Sequence, residues 1–312
     1  MCFHYSMSQV AQNLENRFNA PFVQATGWEP RHHVNGYSFP LMPVVMVGGA
    51  WTAIAAGQST TVPAGQQATT AGSPPIIASA GQSATVTGGP HTMPPGGQSA
   101  TTAGSHPTIT TAEQPGSRAA GQPVIALVQW GLVPAWCRDP EQAEEMRSIT
   151  LNARSETAFD KPSFRKAVAS RRCLIPADGF FEWQTTGNRK IPWFITLRDV
   201  EIFSFGGIWE TWEYPGSAPL HTFSLLTTDA NPLMAEIHNS KKRMPLILPP
   251  EKEELWLRQD LSRQEVEHLM VPLPEEAMKA WTISSLITAR GANTNTPEVK
   301  KPYSWAPPSQ LF

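Results

Sequence analysis

Four residues of types that do covalent and acid–base chemistry stand far apart in the chain: Cys2, Asn152, Glu182 and His238. Cys2 follows the initiator methionine in "MCFHYSM", and cells usually trim that methionine when the next residue is small. Trimming leaves Cys2 with a free α-amine and a thiol on adjacent carbons, a pair no internal cysteine offers; otherwise position 2 is simply a frayed end. In "GFFEWQ", strand alternation sends Phe181 and Trp183 to one face and Phe180, Glu182 and Gln184 to the other. Glu182 is then either an exposed strand residue or a carboxylate lining an aromatic cleft, where burial would raise its pKa and let it shuttle protons.

His238 falls at the end of a short helix in "TTDANPLMAEIHNSKKRMPLIL". Asp229 or Asn231 can cap that helix and Pro232 suits its first turn. Its dipole would favour protonated His238, either as a surface cap or as a proton donor. Lys241, Lys242 and Arg243 follow directly, as a solvated run or as a cationic flank to that donor. In "LNARSET", Asn152 and Arg154 share one face if extended; they hold local structure or, as an amide and a guanidinium, a sugar or phosphate. "VQWGLVPAW" gathers Trp130, Leu132, Pro134 and Trp136, which read as core packing or as rigid wedges that unstack nucleic-acid bases.

The elements that must position these residues read as β-rich. Short β-type runs recur: "PVVMV", "VIALVQWGLV", "RRCLIPADGFFEW", "IPWFITL", "IFSFGGIWETW", "HTFSLLTT" and "MPLIL". Helical patterns are fewer: Ser6 to Asn16, Ser163 to Ala169, Pro232 to Ile237, Lys252 to Arg258 and Gln264 to Leu269. The expectation is an α+β domain with a mainly antiparallel, curved or barrel-like sheet and flanking helices. Residues 49–123 break the pattern. They hold 12 Gly and 9 Pro but one acid (Glu113), one base (Arg118) and one aromatic residue (Trp51). The glycines at 57, 65, 81, 89, 97 and 121 are spaced by multiples of eight, a period too short for a helical repeat or propeller blade. Such a composition buries too little apolar surface to offset ordering entropy, so it reads as a disordered insertion grown by duplication. The expected organisation is one domain of residues 1–48 and 124–305, the insertion 49–123, and a tail 306–312.

A formal charge of −2 over 312 residues gives no global sign of a nucleic-acid partner, although local basic patches remain compatible with one. The three cysteines, Cys2, Cys137 and Cys173, form no C-x-x-C pair and read as cytosolic thiols rather than a disulfide framework or a zinc site. The apolar stretch Phe39 to Gly57 is long enough to weigh as a membrane span. Prolines and glycines punctuate it, and its first half reads as a buried strand.

Taken together, "MC", "WGLVPAW", "NARSET", "RRCLIPADGFFEW", "TTDAN", "IH…RMPLIL" and "ISSLITARGANTNTPEVKKP" resemble the SOS-response-associated peptidase (SRAP) family, in order and over nearly the whole chain outside the insertion. The resemblance implies an α+β fold with a barrel-like core. It implies binding of single-stranded DNA, and a covalent crosslink to abasic sites through the N-terminal cysteine, which protects the lesion. The family's conserved Cys, Asn, Glu and His fall on Cys2, Asn152, Glu182 and His238. DNA contacts would fall on Arg154, Trp130, Leu132, Pro134, Trp183, Thr227, Lys241, Lys242 and Arg243. No cofactor, metal or membrane is implied, and the expected protein is a monomeric, cytoplasmic one that associates with the nucleoid when on DNA.

Two features depart from the family's pattern. The start is Met-Cys-Phe-His where the family has Met-Cys-Gly-Arg, and Asn239 to Lys242 expand the segment between His238 and Arg243, so either Arg243 is displaced or Lys241 and Lys242 share its duty.

On this resemblance the opened deoxyribose aldehyde condenses with the Cys2 amine to an imine, and the thiol closes a thiazolidine. Near neutral pH roughly 10–15% of terminal amines are uncharged, against well under 0.1% of lysines, and ring closure is intramolecular. Glu182 would deprotonate the amine and relay protons, His238 would donate one as the sugar opens, Asn152 would fix the sugar or the amine, and the cations would hold phosphates. Two other readings stay open: a cysteine-type peptidase acting on its own start, and a non-covalent single-strand DNA-binding module.

Overall fold

The computed structural model describes residues 2–23, 25–47 and 121–305. Thirteen strands and six α-helices are found among them. Alternating and continuous apolar runs form two sheets. In the larger, β3 (Leu41–Val47), β4 (Pro123–Trp130), β6 (Arg172–Ala177), β9 (Phe203–Trp212) and β10 (Leu220–Asp229) close into a five-stranded ring. All pairings in that ring are antiparallel except β4 with β10. The short strands β5 (Asn152–Arg154), β11 (Arg243–Pro245) and β12 (Ile247–Leu248) pair onto its rim. The expected barrel-like α+β domain is thus observed.

The smaller sheet runs β13 (Met278–Thr282), β8 (Arg189–Leu197), β7 (Gly179–Thr186), β1 (His4–Met7), β2 (Arg31–Asn35). The strand after Cys2 is therefore an interior strand, paired on one side to β2 and on the other to the strand carrying Glu182. Tyr5 of β1 points into the core, where its ring meets Trp130 at 5.2 Å and Phe205 at 5.8 Å. Phe180, Phe203 and Phe223 extend the same aromatic cluster. All six rings are at most 1% exposed, and each stabilises the fold by roughly 1.5–3 kcal/mol through burial.

Polar contacts hold β1 in register. Asp178, between β6 and β7, accepts from the Ser8 amide at 2.8 Å and from the Ser8 hydroxyl, and pairs with Lys300 at 2.9 Å. Lys300 also reaches Ser8 at 3.0 Å with its ammonium over the Phe194 ring. At Gly179, opposite Ser6, a Cβ would collide with the Phe194 ring of β8, so glycine is what lets that ring pack across β7.

The helices are α1 (Ala11–Phe18), α2 (Pro140–Ile149), α3 (Arg165–Ser170), α4 (Pro232–Ile237), α5 (Pro250–Leu257) and α6 (Arg263–Leu269). The helix expected from Ser6 begins only at Ala11, because Ser6 and Met7 are consumed by β1. Helix α2 was not anticipated: only Ala143 is buried, so no apolar stripe announces it. Its start is nevertheless written in the sequence, since Asp139 caps Gln142 and Pro140 takes the first turn. The apolar stretch from Phe39 is strand β3 as far as Val47, and no helix of the described residues is long and apolar enough to cross a membrane.

The expected insertion, 49–123, lies outside the described residues except for Gly121, Gln122 and Pro123, as does the tail 306–312. Val47 and Pro123 are register partners at the ends of β3 and β4, so the chain leaves and re-enters the barrel at adjacent points. Replacing residues 48–122 with Asn-Gly, the pair favoured in tight hairpins, is therefore expected to leave the fold intact. Shortening the loop through about five halvings should stabilise it by up to about 3 kcal/mol. Urea unfolding of the shortened chain checks this, and a collapsed or insoluble product would refute it.

Candidate functional site

A cavity of about 420 Å³ opens beside β1 and β7, lined by Phe3, His4, Glu182, Trp183, Thr185, Lys190, His238, Ser240, Lys241 and Thr288. Strand β7 supplies Glu182, Trp183 and Thr185. Strand β8 brings Lys190 in as the register partner of Thr185. Helix α4 ends at His238, its start capped by the Asn231 side chain bonded to the Met234 amide at 2.8 Å.

Glu182 is 4% exposed, and its Oε1 is buried without a hydrogen-bond partner. Burial lifts its pKa to about 8, so at pH 7 it is mainly the neutral acid. His238 Nδ1 stands 3.9 Å from Glu182 Oε1 and donates instead to the Arg243 carbonyl at 2.9 Å. That bond fixes the proton on Nδ1. Burial lowers the His238 pKa, which overturns the expectation that the helix dipole keeps it protonated. The helix has six residues, and desolvation outweighs the field of so short an element.

Cys2 is 1% exposed, with its thiol donating to the His4 carbonyl at 3.4 Å. Burial pushes the thiol pKa up, and the Glu182 charge adds to the rise. The sulfur is therefore held as a neutral thiol within the electrostatic reach of Glu182. Asn152 is not on the cavity wall. It lies on β5 beside Leu151, whose carbonyl accepts from Trp130 Nε1 at 2.8 Å. Both polar atoms of the Asn152 side chain are buried without a hydrogen bond, a donor and an acceptor left open at a cost of roughly 1–3 kcal/mol.

The expected DNA contacts divide. Trp130, Leu132, Pro134 and Thr227 are buried, the first two and Thr227 completely. They are core, not a base wedge; in "WGLVPAW" the exposed ring is Trp136, at 46%. Arg243 is also corrected. It is buried in a cluster with Glu156 at 2.5 Å, Asp229 at 2.7 Å and the Thr227 carbonyl at 2.7 Å, so its charge is committed to carboxylates rather than phosphates. Arg154, Lys241 and Lys242 are exposed and Trp183 is half-buried. Of the two lysines only Lys241 lines the cavity.

The expanded segment explains why the site survives it. Asn239 is bonded to the amide and carbonyl of Thr185 at 3.1 and 2.8 Å. The Lys242 amide closes a turn onto the His238 carbonyl at 2.8 Å, with Lys242 in the left-handed region at φ 49°. The extra residues are thus absorbed in a turn that leaves His238 and Arg243 in contact.

Six cavity residues were not anticipated as site residues: Phe3, His4, Thr185, Lys190, Ser240 and Thr288. Lys190 was legible from the hairpin "QTTGNRK", whose Gly187 turn at φ 57° sets the register. Phe3 and His4 read only as departures from a familial start. His4 Nδ1 is 2.9 Å from His33 Nε2, and burial lowers the two pKa values to about 3 and 4. The position where an arginine would carry charge is therefore neutral. No group of three or more His, Cys, Asp or Glu among the described residues could hold a metal ion, and the three cysteines are free thiols.

The family model described as SOS response associated peptidase (SRAP) matches residues 1–290, and the chain belongs to that family. Abasic site processing protein YoqW of Bacillus subtilis is 39% identical over 174 residues, covering 55% of this chain and 74% of its own. Abasic site processing protein HMCES of Gallus gallus is 29% identical over 214 residues, covering 62% and 61%. A crystal structure of a Bacteroides thetaiotaomicron protein superposes with a TM-score of 0.69 at 28% identity, covering 97% of this chain and 100% of that one.

The buried carboxyl makes a signed stability prediction. Glu182 ionises above pH 4.5 when unfolded but only above about 8 when folded. Its contribution turns destabilising as pH rises through that window and levels off above it. Glu182→Gln should therefore leave stability unchanged below pH 4 and raise it by at most about 5 kcal/mol at pH 9. Denaturant melts of both proteins at the two pH values check this; an equal effect at both would show that the carboxyl is not buried and neutral.

Proposed function

We propose that this SRAP-family chain recognises abasic sites in single-stranded DNA and, once Met1 is removed, joins them covalently through Cys2 as a thiazolidine. The observation that carries the reading is Glu182: a buried carboxyl without a hydrogen-bond partner on Oε1, facing a histidine, in a cavity that adjoins the strand after Cys2. Relatives named abasic site processing proteins match more than half of the chain, which supports that substrate.

The roles follow from protonation states. The uncharged fraction of the α-amine attacks the C1′ aldehyde of the opened sugar, because the thiol is held protonated. This forms a carbinolamine. Glu182, protonated at pH 7, donates to the departing hydroxyl and water leaves. The sulfur then closes on the iminium carbon and its proton returns to the Glu182 carboxylate. Glu182 thus serves as acid at the step where the sequence suggested a base for the amine. His238 is suited to taking the proton of the sugar 1′-hydroxyl and delivering it to O4′ as the C1′–O4′ bond breaks and the aldehyde forms. Asn152, off the cavity wall, makes no contact with a sugar held there, and its buried open donor and acceptor are left for the terminal amine. Lys190, Lys241 and Arg154 meet phosphates, so affinity should fall as salt rises.

Heat-stable adducts on denaturing gels test it. With a single-stranded oligonucleotide bearing one abasic site, the native-start protein is expected to give a shifted band, and Cys2→Ala none. Glu182→Gln should slow formation by about 100-fold, within the range of general acid–base assistance. An undiminished band with Cys2→Ala would refute the proposal.

A further inference from the structure

The cavity holds two histidines with different second partners. His238 hands its Nδ1 proton to a backbone carbonyl at 2.9 Å, which accepts a proton's hydrogen bond but cannot pass the proton on. His4 instead faces a second imidazole: His4 Nδ1 to His33 Nε2 is 2.9 Å, and His33 Nδ1 to Thr294 Oγ1 is 2.9 Å. The rings of His4 and His33 lie parallel within 12°, with Trp183 edge-on to His4 and Phe181 edge-on to His33. Trp183 and Phe181 flank the pair, and both imidazoles are half-buried. Thr294 is half-exposed in a loop whose Asn295 side chain accepts from the His32 amide at 2.7 Å, tying the loop to β2. The line therefore runs from the cavity wall to the surface.

We propose that His4, His33 and Thr294 form a proton relay that exchanges protons between the cavity and solvent. This rests on the function proposed above, which creates the need for it. Most terminal amines carry a proton near pH 7, so each condensation that starts from the ammonium must release one. Glu182 cannot take it, being protonated itself. In the relay, His4 Nε2 accepts the ammonium proton. The His4 Nδ1–H bond breaks and its proton passes to His33 Nε2; the His33 Nδ1–H bond breaks and its proton passes to Thr294 Oγ1. The Thr294 hydroxyl gives up its original proton to water. One proton has left the cavity, neither ring retains a charge, and both imidazoles have changed tautomer. The opposite tautomers carry a proton inward. Burial favours such a neutral exchange because it disfavours the charged form of either ring.

The test measures single-turnover crosslinking at pH 7 to the abasic-site oligonucleotide, with affinity for an uncleavable tetrahydrofuran analogue as the control. His33→Gln keeps a hydrogen bond to His4 but cannot pass a proton, and is expected to slow crosslinking about tenfold or more at unchanged affinity. His33→Gly should be slowed likewise and restored by added imidazole, which a merely structural loss would not allow. Wild-type rates in both variants, or no effect of imidazole, would overturn the relay. A wild-type protein that never crosslinks would overturn the function and the relay with it. Nitrogen-15 spectra of the unaltered protein provide a check free of substitutions: two neutral rings with scalar coupling between His4 Nδ1 and His33 Nε2 are expected, and uncoupled rings would contradict the proposal.

Discussion

A carboxyl group buried with no lysine or arginine paired to it sets the terms for the rest of this molecule. Glu182 is enclosed in an aromatic-rich strand with no arginine or lysine paired to it. Ionising it there is costly, so the group stays protonated into the neutral range. Everything around it obeys the same rule. The Cys2 thiol is held neutral, His4 and His33 are held neutral, and His238 loses basicity to burial. The cations Lys190 and Lys241 stand at the exposed part of the cavity wall. The result is a pocket whose buried ionisable side chains are held neutral, with its lysines at the exposed wall.

The fold earns this environment by making the start of the chain a structural strand. β1 is an interior member of its sheet, and its Tyr5 ring is locked into the barrel's aromatic core. The Asp178–Ser8–Lys300 cluster ties the end of β1 to the turn before β7, and Gly179 leaves room for the Phe194 ring that Lys300 covers. Cys2 therefore cannot drift relative to Glu182 without disturbing core packing. The proposed condensation would gain effective concentration from a reagent held in place. Here Cys2 is buried, and the strand that begins two residues later is paired on both sides.

Much of this was legible in the sequence. The apolar runs announced the barrel strands because their side chains are buried, and the alternation in "GFFEWQ" placed Glu182 in an aromatic setting. The capped helix before His238 was found to the residue. Other parts were hidden for identifiable reasons. Strand β2 contains one buried apolar residue, Val34, so "RHHVN" shows no strand period. The Trp130 and Leu132 pair looks alike whether it faces a core or a base; only the closed ring of strands decides for the core. Arg243 reads as one of a run of cations until the fold brings Glu156 and Asp229 to it from distant segments. Tertiary charge pairing of this kind leaves no local pattern. The His4–His33 contact is of the same sort, joining residues 29 positions apart.

The most direct test of the central claim is intact-mass spectrometry of the native-start protein after incubation with single-stranded DNA carrying one abasic site. The account predicts a species equal to the protein without Met1, plus the DNA, minus one water. Protein that has lost Met1, yet stays at its own mass in the presence of excess DNA, would contradict it.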